Sequence, residues 1–148
     1  MFKSFALAGV IAVMSAIPAA ADLIKIPSQK PVAETMDALQ AAVEGAGATV
    51  FARVDHAAGA QNVDLSLGDA QLLIFGNPKL GTPAMQADMR AGLFLPLKVL
   101  AYQDGEGQVW LTYEDPAVML SGLDVPADAG FVTKMQGALG KLTGAAVR

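Results

Sequence analysis

The sequence contains no cysteine, one histidine (His56) and one tryptophan (Trp110) in 148 residues. Without cysteine there can be no disulfide, no thiolate zinc site and no attachment point for a lipoprotein anchor. A single imidazole cannot assemble the usual zinc ligand set, so neither a metal nor a cofactor is expected. Cations are sparse and scattered: Lys25, Lys30, Arg53, Lys79, Arg90, Lys98, Lys134 and Lys141 form no cluster, and acidic residues outnumber basic ones 14 to 10. Nucleic-acid binding needs grouped Lys and Arg to neutralise phosphates, so no nucleic-acid partner is expected. Internal repeats, linkers and low-complexity segments are missing as well.

What is present begins with an N-terminal address. Lys3, an apolar run from Phe5 to Ile17 and the small residues Ala19-Ala20-Ala21 follow the order of a secretory signal. Residues 1–21 are therefore expected to be cleaved, leaving residues 22–148 as a single domain, periplasmic or secreted. The run falls short of the roughly 20 apolar residues that span a bilayer, so no stable membrane insertion is expected after cleavage. The remaining chain would carry nine basic and fourteen acidic residues, a net charge of −5. It is long enough to bury a core without covalent staples.

Leu23 to Ile26 reads as a short strand stopped by Pro27. Val32, Met36, Leu39 and Val43 then recur at intervals of four, three and four, which predicts a helix with Pro31 near its first turn and an end at Gly45 or Gly47. The 48–56 stretch alternates Val50, Ala52 and Val54 against Thr49, Phe51 and Arg53, as in a strand half buried on one face. The 57–69 stretch reads as a connection with room for one helical turn. Leu72 to Phe75 forms a central strand that breaks at Gly76-Asn77-Pro78. Thr82 is placed to cap a short helix beginning at Pro83 and carrying Met85 and Met89 on one face. Leu97–Tyr102 and Val109–Tyr113 make a hairpin through Asp104-Gly105-Glu106-Gly107. Phe131, Met135, Leu139 and Leu142 mark a last helix, which Gly137 and Gly140 weaken. This order predicts an α+β domain: a mostly antiparallel sheet with helices packed on one face, in a single compact unit.

The run Leu73-Ile74-Phe75-Gly76-Asn77-Pro78-Lys79-x-Gly81-Thr82-Pro83-x-Met85, then Leu95-Pro96-Leu97-Lys98-Val99-Leu100 and a strand ending at Tyr113 before Asp115-Pro116, resembles the bacterial family known as domain of unknown function 302. Glu34-Thr35 and Asp55-His56 fit the same pattern, while Met89-Arg90 stand where that family commonly has a proline. The resemblance covers essentially all of the chain after the signal. It implies a compact α+β architecture related to the TATA-binding-protein-like folds, and it implies no activity.

Two places offer chemistry. Gly76-x-x-x-x-Gly81-Thr82 approaches a phosphate-binding loop but lacks the lysine before the threonine, and an exported protein meets little nucleoside triphosphate, so an NTPase is rejected. Backbone amides near the helix start, with Asn77, Lys79 and Thr82, remain a candidate site for a small anion; the plainer alternative is a turn in which Asn77 bonds nearby backbone. His56, beside Asp55, is a candidate acid or base, set against a strand-end histidine with no such role. Met85 and Met89 could in principle hold Cu(I), but methionines at helical spacing are more often core filler. Trp110 on the hairpin, with Phe94 nearby, is a candidate dimer surface or a residue under the flanking helix. The function expected is an exported small-molecule-binding or accessory domain using His56, Asn77, Lys79 and Thr82, with a homodimeric assembly module or a small enzyme based on His56 as the alternatives. No nucleophile, metal set or oriented base favours the enzyme.

Overall fold

A computed structural model describes residues 23–148, so the signal-like segment lies outside the described residues. Five strands form one antiparallel sheet in the order β1-β5-β4-β3-β2: β1 Leu23–Ser28, β2 Thr49–Asp55, β3 Ala70–Gly76, β4 Leu97–Gln103 and β5 Val109–Glu114. The strand expected at the centre, β3, is second from one edge, and β4 occupies the middle. Helices α1 (Val32–Gly45) and α5 (Gly130–Ala146) pack against each other, and α1 packs on the inner sheet face. The fold is α+β with its helices on one face.

The periodicity that predicts α1 is the periodicity that is buried. Val32, Met36, Leu39 and Val43 are all within the core, as are Val132, Met135, Leu139 and Leu142 of α5. They meet Leu73 and Phe75 of β3, Leu97, Val99 and Ala101 of β4, and Leu111 of β5. Thr35, on the same side of α1, is fully buried; its hydroxyl lies 2.7 Å from that of Ser28 and donates to the Lys30 carbonyl at 3.2 Å. A hydroxyl pair thus pins the end of β1 to α1 without leaving a polar group unpaired.

Several local expectations change, beginning with β1, which continues through Pro27 to Ser28. Strand β2 does not keep one alternation. Val50 opposes Phe75, Ala52 opposes Ile74 and Arg53 opposes Leu73, so Phe51 is the extra residue of a β-bulge. The bulge swaps the faces after it, and Phe51 is left 58% exposed. The helix after β3 starts five residues earlier than its prolines suggest: α3 spans Pro78–Ala87, Asn77 is its N-cap, and Pro83 lies within it. Asn77 Oδ1 accepts the Lys79 N–H at 3.0 Å, and Pro78 at the first position has no N–H to leave unpaired. Helix α3 ends before Met89. Asp88 is extended and caps a 3-10 turn, Met89–Leu93, so Met85 and Met89 do not share a helical face. The 57–69 stretch holds more helix than one turn: α2, His56–Gln61, capped by Asp55. The remaining helix, α4, is Pro116–Met119.

Candidate functional site

An apolar concavity opens at the end of the sheet where β3 stops and β4 begins. It has a volume of about 300 Å³ and is lined by Phe51 of β2, Gly76 to Pro78, Leu80 to Thr82 and Met85 of α3, Gly92 of the 3-10 turn, Leu95 to Leu97, and Met135 of α5. Two glycines set its walls. At Gly76 an added Cβ would stand 3.4 Å from Pro96 Cβ and 3.6 Å from Phe51 Cε2, so the chain passes flat between these side chains. At Gly92 it would stand 3.1 Å from Met85 Cε, so the missing side chain gives the methionine its place. Met135, 1% exposed, is the floor.

The wall formed by the 3-10 turn is held by charge. Asp88 accepts the Arg90 N–H at 2.9 Å and two guanidinium bonds from Arg90 at 3.0 and 2.7 Å. It also accepts the Asp124 N–H at 3.1 Å, which ties in the loop after α4. The Arg90 guanidinium, followed by these amides, holds the Asp88 carboxyl far below the usual carboxylate range.

Of the residues singled out from sequence, Asn77 and Thr82 line this cleft, whereas exposed Lys79 is not among the lining residues. The amides an anion would need here are already engaged. Lys79 N–H goes to Asn77 Oδ1, and Leu80 and Gly81 N–H go to the Asn77 carbonyl at 2.9 and 3.0 Å. His56 lies elsewhere. Asp55 pairs with Gln71 while Thr49 pairs with Gly76, which places His56 at the opposite end of β2, on the order of 20 Å away at about 3.3 Å per residue. Asp55 does not orient the imidazole; its Oδ1 accepts the Ala58 N–H at 2.9 Å as the α2 cap, and its Oδ2 accepts from Gln71 Nε2 at 3.4 Å.

Trp110 lies on the sheet face opposite the helices, half-buried, with Lys25 Nζ 4.5 Å from its ring and 5.6 Å from that of Tyr102. Its Nε1–H donates to Asp104 Oδ2 at 2.8 Å. That bond, then the Gln108 and Glu106 amides and the Lys25 charge, keep the Asp104 carboxyl below its ordinary value against the opposing effect of burial.

The cleft residues missed in the sequence reading are Phe51, Leu80, Met85, Gly92, Leu95, Pro96, Leu97 and Met135. All but glycine are apolar or imino residues with core-like signatures. Only the bulge at Phe51 and the glycines at 76, 81 and 92 distinguish the cavity from ordinary packing. Among the described residues, no three His, Cys, Asp or Glu side chains are grouped to hold a metal ion.

An antiparallel sheet with its helices on one face and an apolar cleft at one end defines a small α+β domain with a ligand-sized concavity. The chain belongs to the family described as domain of unknown function DUF302, whose model matches residues 24–145. The crystal structure of an uncharacterized conserved DUF302 protein from Bacillus stearothermophilus is similar, with a TM-score of 0.77 and 18% identity over 87% of this chain and 100% of that one. That likeness establishes the fold. Over 95 residues the chain is also 47% identical to proteins named fluoride-specific ion channel FluC 1 from Brucella suis biovar 1 and Brucella abortus biovar 1. The match takes in 64% of this chain but only 37% and 35% of those proteins, so the chain spans about a third of their length. No helix of the described residues is long and apolar enough to cross a membrane.

Proposed function

We propose that this chain is an exported accessory domain that binds a small, largely apolar molecule in the cleft between Phe51, the 76–82 segment and Pro96, without catalysing a reaction on it. The cleft itself carries this reading: about 300 Å³ of open space runs from an exposed aromatic ring to a fully buried methionine. Well-packed interiors leave few voids larger than a water molecule, and an apolar concavity of this size is the usual form of a small-molecule site. The signal-like order of residues 1–21 supports export. The separation of His56 from the cleft supports binding over acid–base chemistry, because a catalytic base must come within hydrogen-bond reach of its substrate. Native mass spectrometry of the protein, purified gently from a periplasmic extract, tests this. A bound mass that disappears when the cleft is filled by Gly81→Leu is the expected result; a bound mass retained in that variant would place the ligand elsewhere and sink the reading.

A second reading rests on the Brucella relatives: the domain assists a membrane transport protein as a separate module. Fluoride itself is a poor fit to the cleft, which has no cationic lining residue, and the Lys79, Leu80 and Gly81 backbone amides that could replace the water a buried anion gives up are already engaged. On this reading the domain would support a channel without holding its ion. Deleting the gene should then lower the fluoride concentration that arrests growth, and unchanged tolerance removes the idea.

A further inference from the structure

We propose that the cleft ligand is a neutral amphiphile, with an apolar body of on the order of ten heavy atoms ending in one hydroxyl or carbonyl oxygen. This deepens the binding reading above and rests on it. Size comes from the volume: about 300 Å³, at about 30 Å³ per heavy atom, the share of a molecule in liquid water, holds roughly ten.

Neutrality comes from the walls. None of the lining residues is ionisable, and Lys79, flanked in sequence by the lining residues Pro78 and Leu80, is exposed and outside the cleft. The three amides at the start of α3 are spent on Asn77. A carboxylate or phosphate entering the cleft would lose its hydration and find no charge partner, whereas an uncharged oxygen loses far less.

The single oxygen function comes from the two lining side chains that carry polar atoms, Asn77 and Thr82, both in the 76–82 segment. Asn77 Oδ1 is committed to the Lys79 amide, so its NH₂ is the group left to donate, and Thr82, an exposed residue, adds a hydroxyl to the lining. The rest of the lining, including Leu95, Pro96 and Met135, is apolar or glycine. Met85 and Met135 are unbranched and adaptable, which suits a body defined by volume more than by shape.

The test is displacement of the neutral fluorescent dye 1-naphthylamine, itself of about eleven heavy atoms and so within the size the volume allows, by straight-chain primary alcohols from hexanol to tetradecanol, with decanoate as the charged comparison. Affinity should rise about three- to fourfold per methylene up to roughly decanol and then level off. Decanoate at neutral pH should bind at least about tenfold more weakly than decanol, given the cost of desolvating an unpaired charge. Phe51→Ala removes an exposed wall residue and should weaken decanol by about tenfold. Gly81→Leu fills the cleft from a helical position whose Cβ would stand 3.7 Å from Leu95 Cδ1, and it should abolish binding without lowering Tm. Decanoate binding as tightly as decanol, or affinity indifferent to chain length, would overturn the ligand class while leaving the cleft a binding site. Dye that does not bind, or binds equally to Gly81→Leu, would overturn the cleft as a site altogether.

Discussion

The two ends of the sheet divide what the sequence had joined. At one end the chain passes from β3 into α3 and returns through the 3-10 turn to β4, and the space between is an apolar cleft of about 300 Å³. At the other end Asp55, Asp69, Gln71 and α2 border a smaller concavity of about 170 Å³, beside which the exposed His56 begins its helix. Side chains that announce chemistry collect at the second end; volume with an apolar lining occurs at the first. The difference teaches that a concavity is made by what the backbone leaves out, here at Gly76, Gly81 and Gly92, more than by conspicuous side chains.

The strongest way to break this comparison is to remove the floor of the cleft. Met135 is 1% exposed in the middle of α5, and truncating it enlarges the cavity into the core. Met135→Ala should cost about 2–5 kcal/mol in urea denaturation, in line with buried methionine truncations. A loss below about 1 kcal/mol would mean that the floor is loosely packed and that the cleft is not a built cavity.

The caps at the two ends give a matched pair. Asn77→Ala and Asp55→Ala each delete one side-chain acceptor at a helix N-terminus, and each should cost roughly 1 kcal/mol. Only Asn77→Ala should also weaken ligand binding, since it alone loosens a wall of the cleft and removes the amide. Equal losses of binding in both variants would show that the two ends act as one unit. In the helix that floors the cleft, Gly137 and Gly140 have nothing within 4 Å of an added Cβ. Alanine at each should raise stability by up to about 1 kcal/mol, read as a higher urea midpoint with binding unchanged.

The helices were legible because their burial follows a local period: Val32, Met36, Leu39 and Val43 point inward wherever the rest of the chain lies. The hairpin and the sheet class were legible for the same reason. The bulge was not, because Phe51 keeps a perfect alternation in sequence and the extra residue shows only against its partner strand, where Val50 and Ala52 face adjacent residues. Thr82-Pro83 and Asn77-Pro78 are equally good helix starts by rule, and the choice fell to Asn77 because α3 runs on through Pro83. The cleft was half legible. Its Asn77 and Thr82 lie in the conspicuous loop, but Phe51, Leu95 and Met135, which complete the lining, are remote from that loop in sequence and carry only the signature of core. Joining Asp55-His56 to that loop was a guess about tertiary distance that no local pattern can make.

Acid probes both ends through their depressed carboxyls. Asp88 beside the cleft is held by Arg90, and Asp104 at the far end by the Trp110 N–H; both titrate below their ordinary value of 3.8. A carboxyl lowered in the folded state contributes its stability above the unfolded value, near 4, and loses it as pH falls through the folded value. Stability should therefore be flat from pH 7 to about 5 on this account and decline below about 4. Trp110 fluorescence should shift as Asp104 protonates, and Asp104→Asn should remove that part of the transition. A shift centred near pH 6 would point to another group.

The smallest expected effect is at the residue whose chemistry looked most promising. His56 is exposed at the start of α2, its neighbour Asp55 is occupied with the Ala58 amide, and the strand residues Ala52 to Asp55 separate it from Phe51 of the cleft. Substitution of an exposed side chain away from caps and cavities usually changes stability by no more than about 0.5 kcal/mol. His56→Ala should therefore leave the urea midpoint and decanol binding where they are, while Phe51→Ala, at an exposed position within β2, should change binding. The two variants differ in which end of β2 they touch, so their contrast isolates location from exposure. Weakened binding in His56→Ala would mean that the ends communicate through β2.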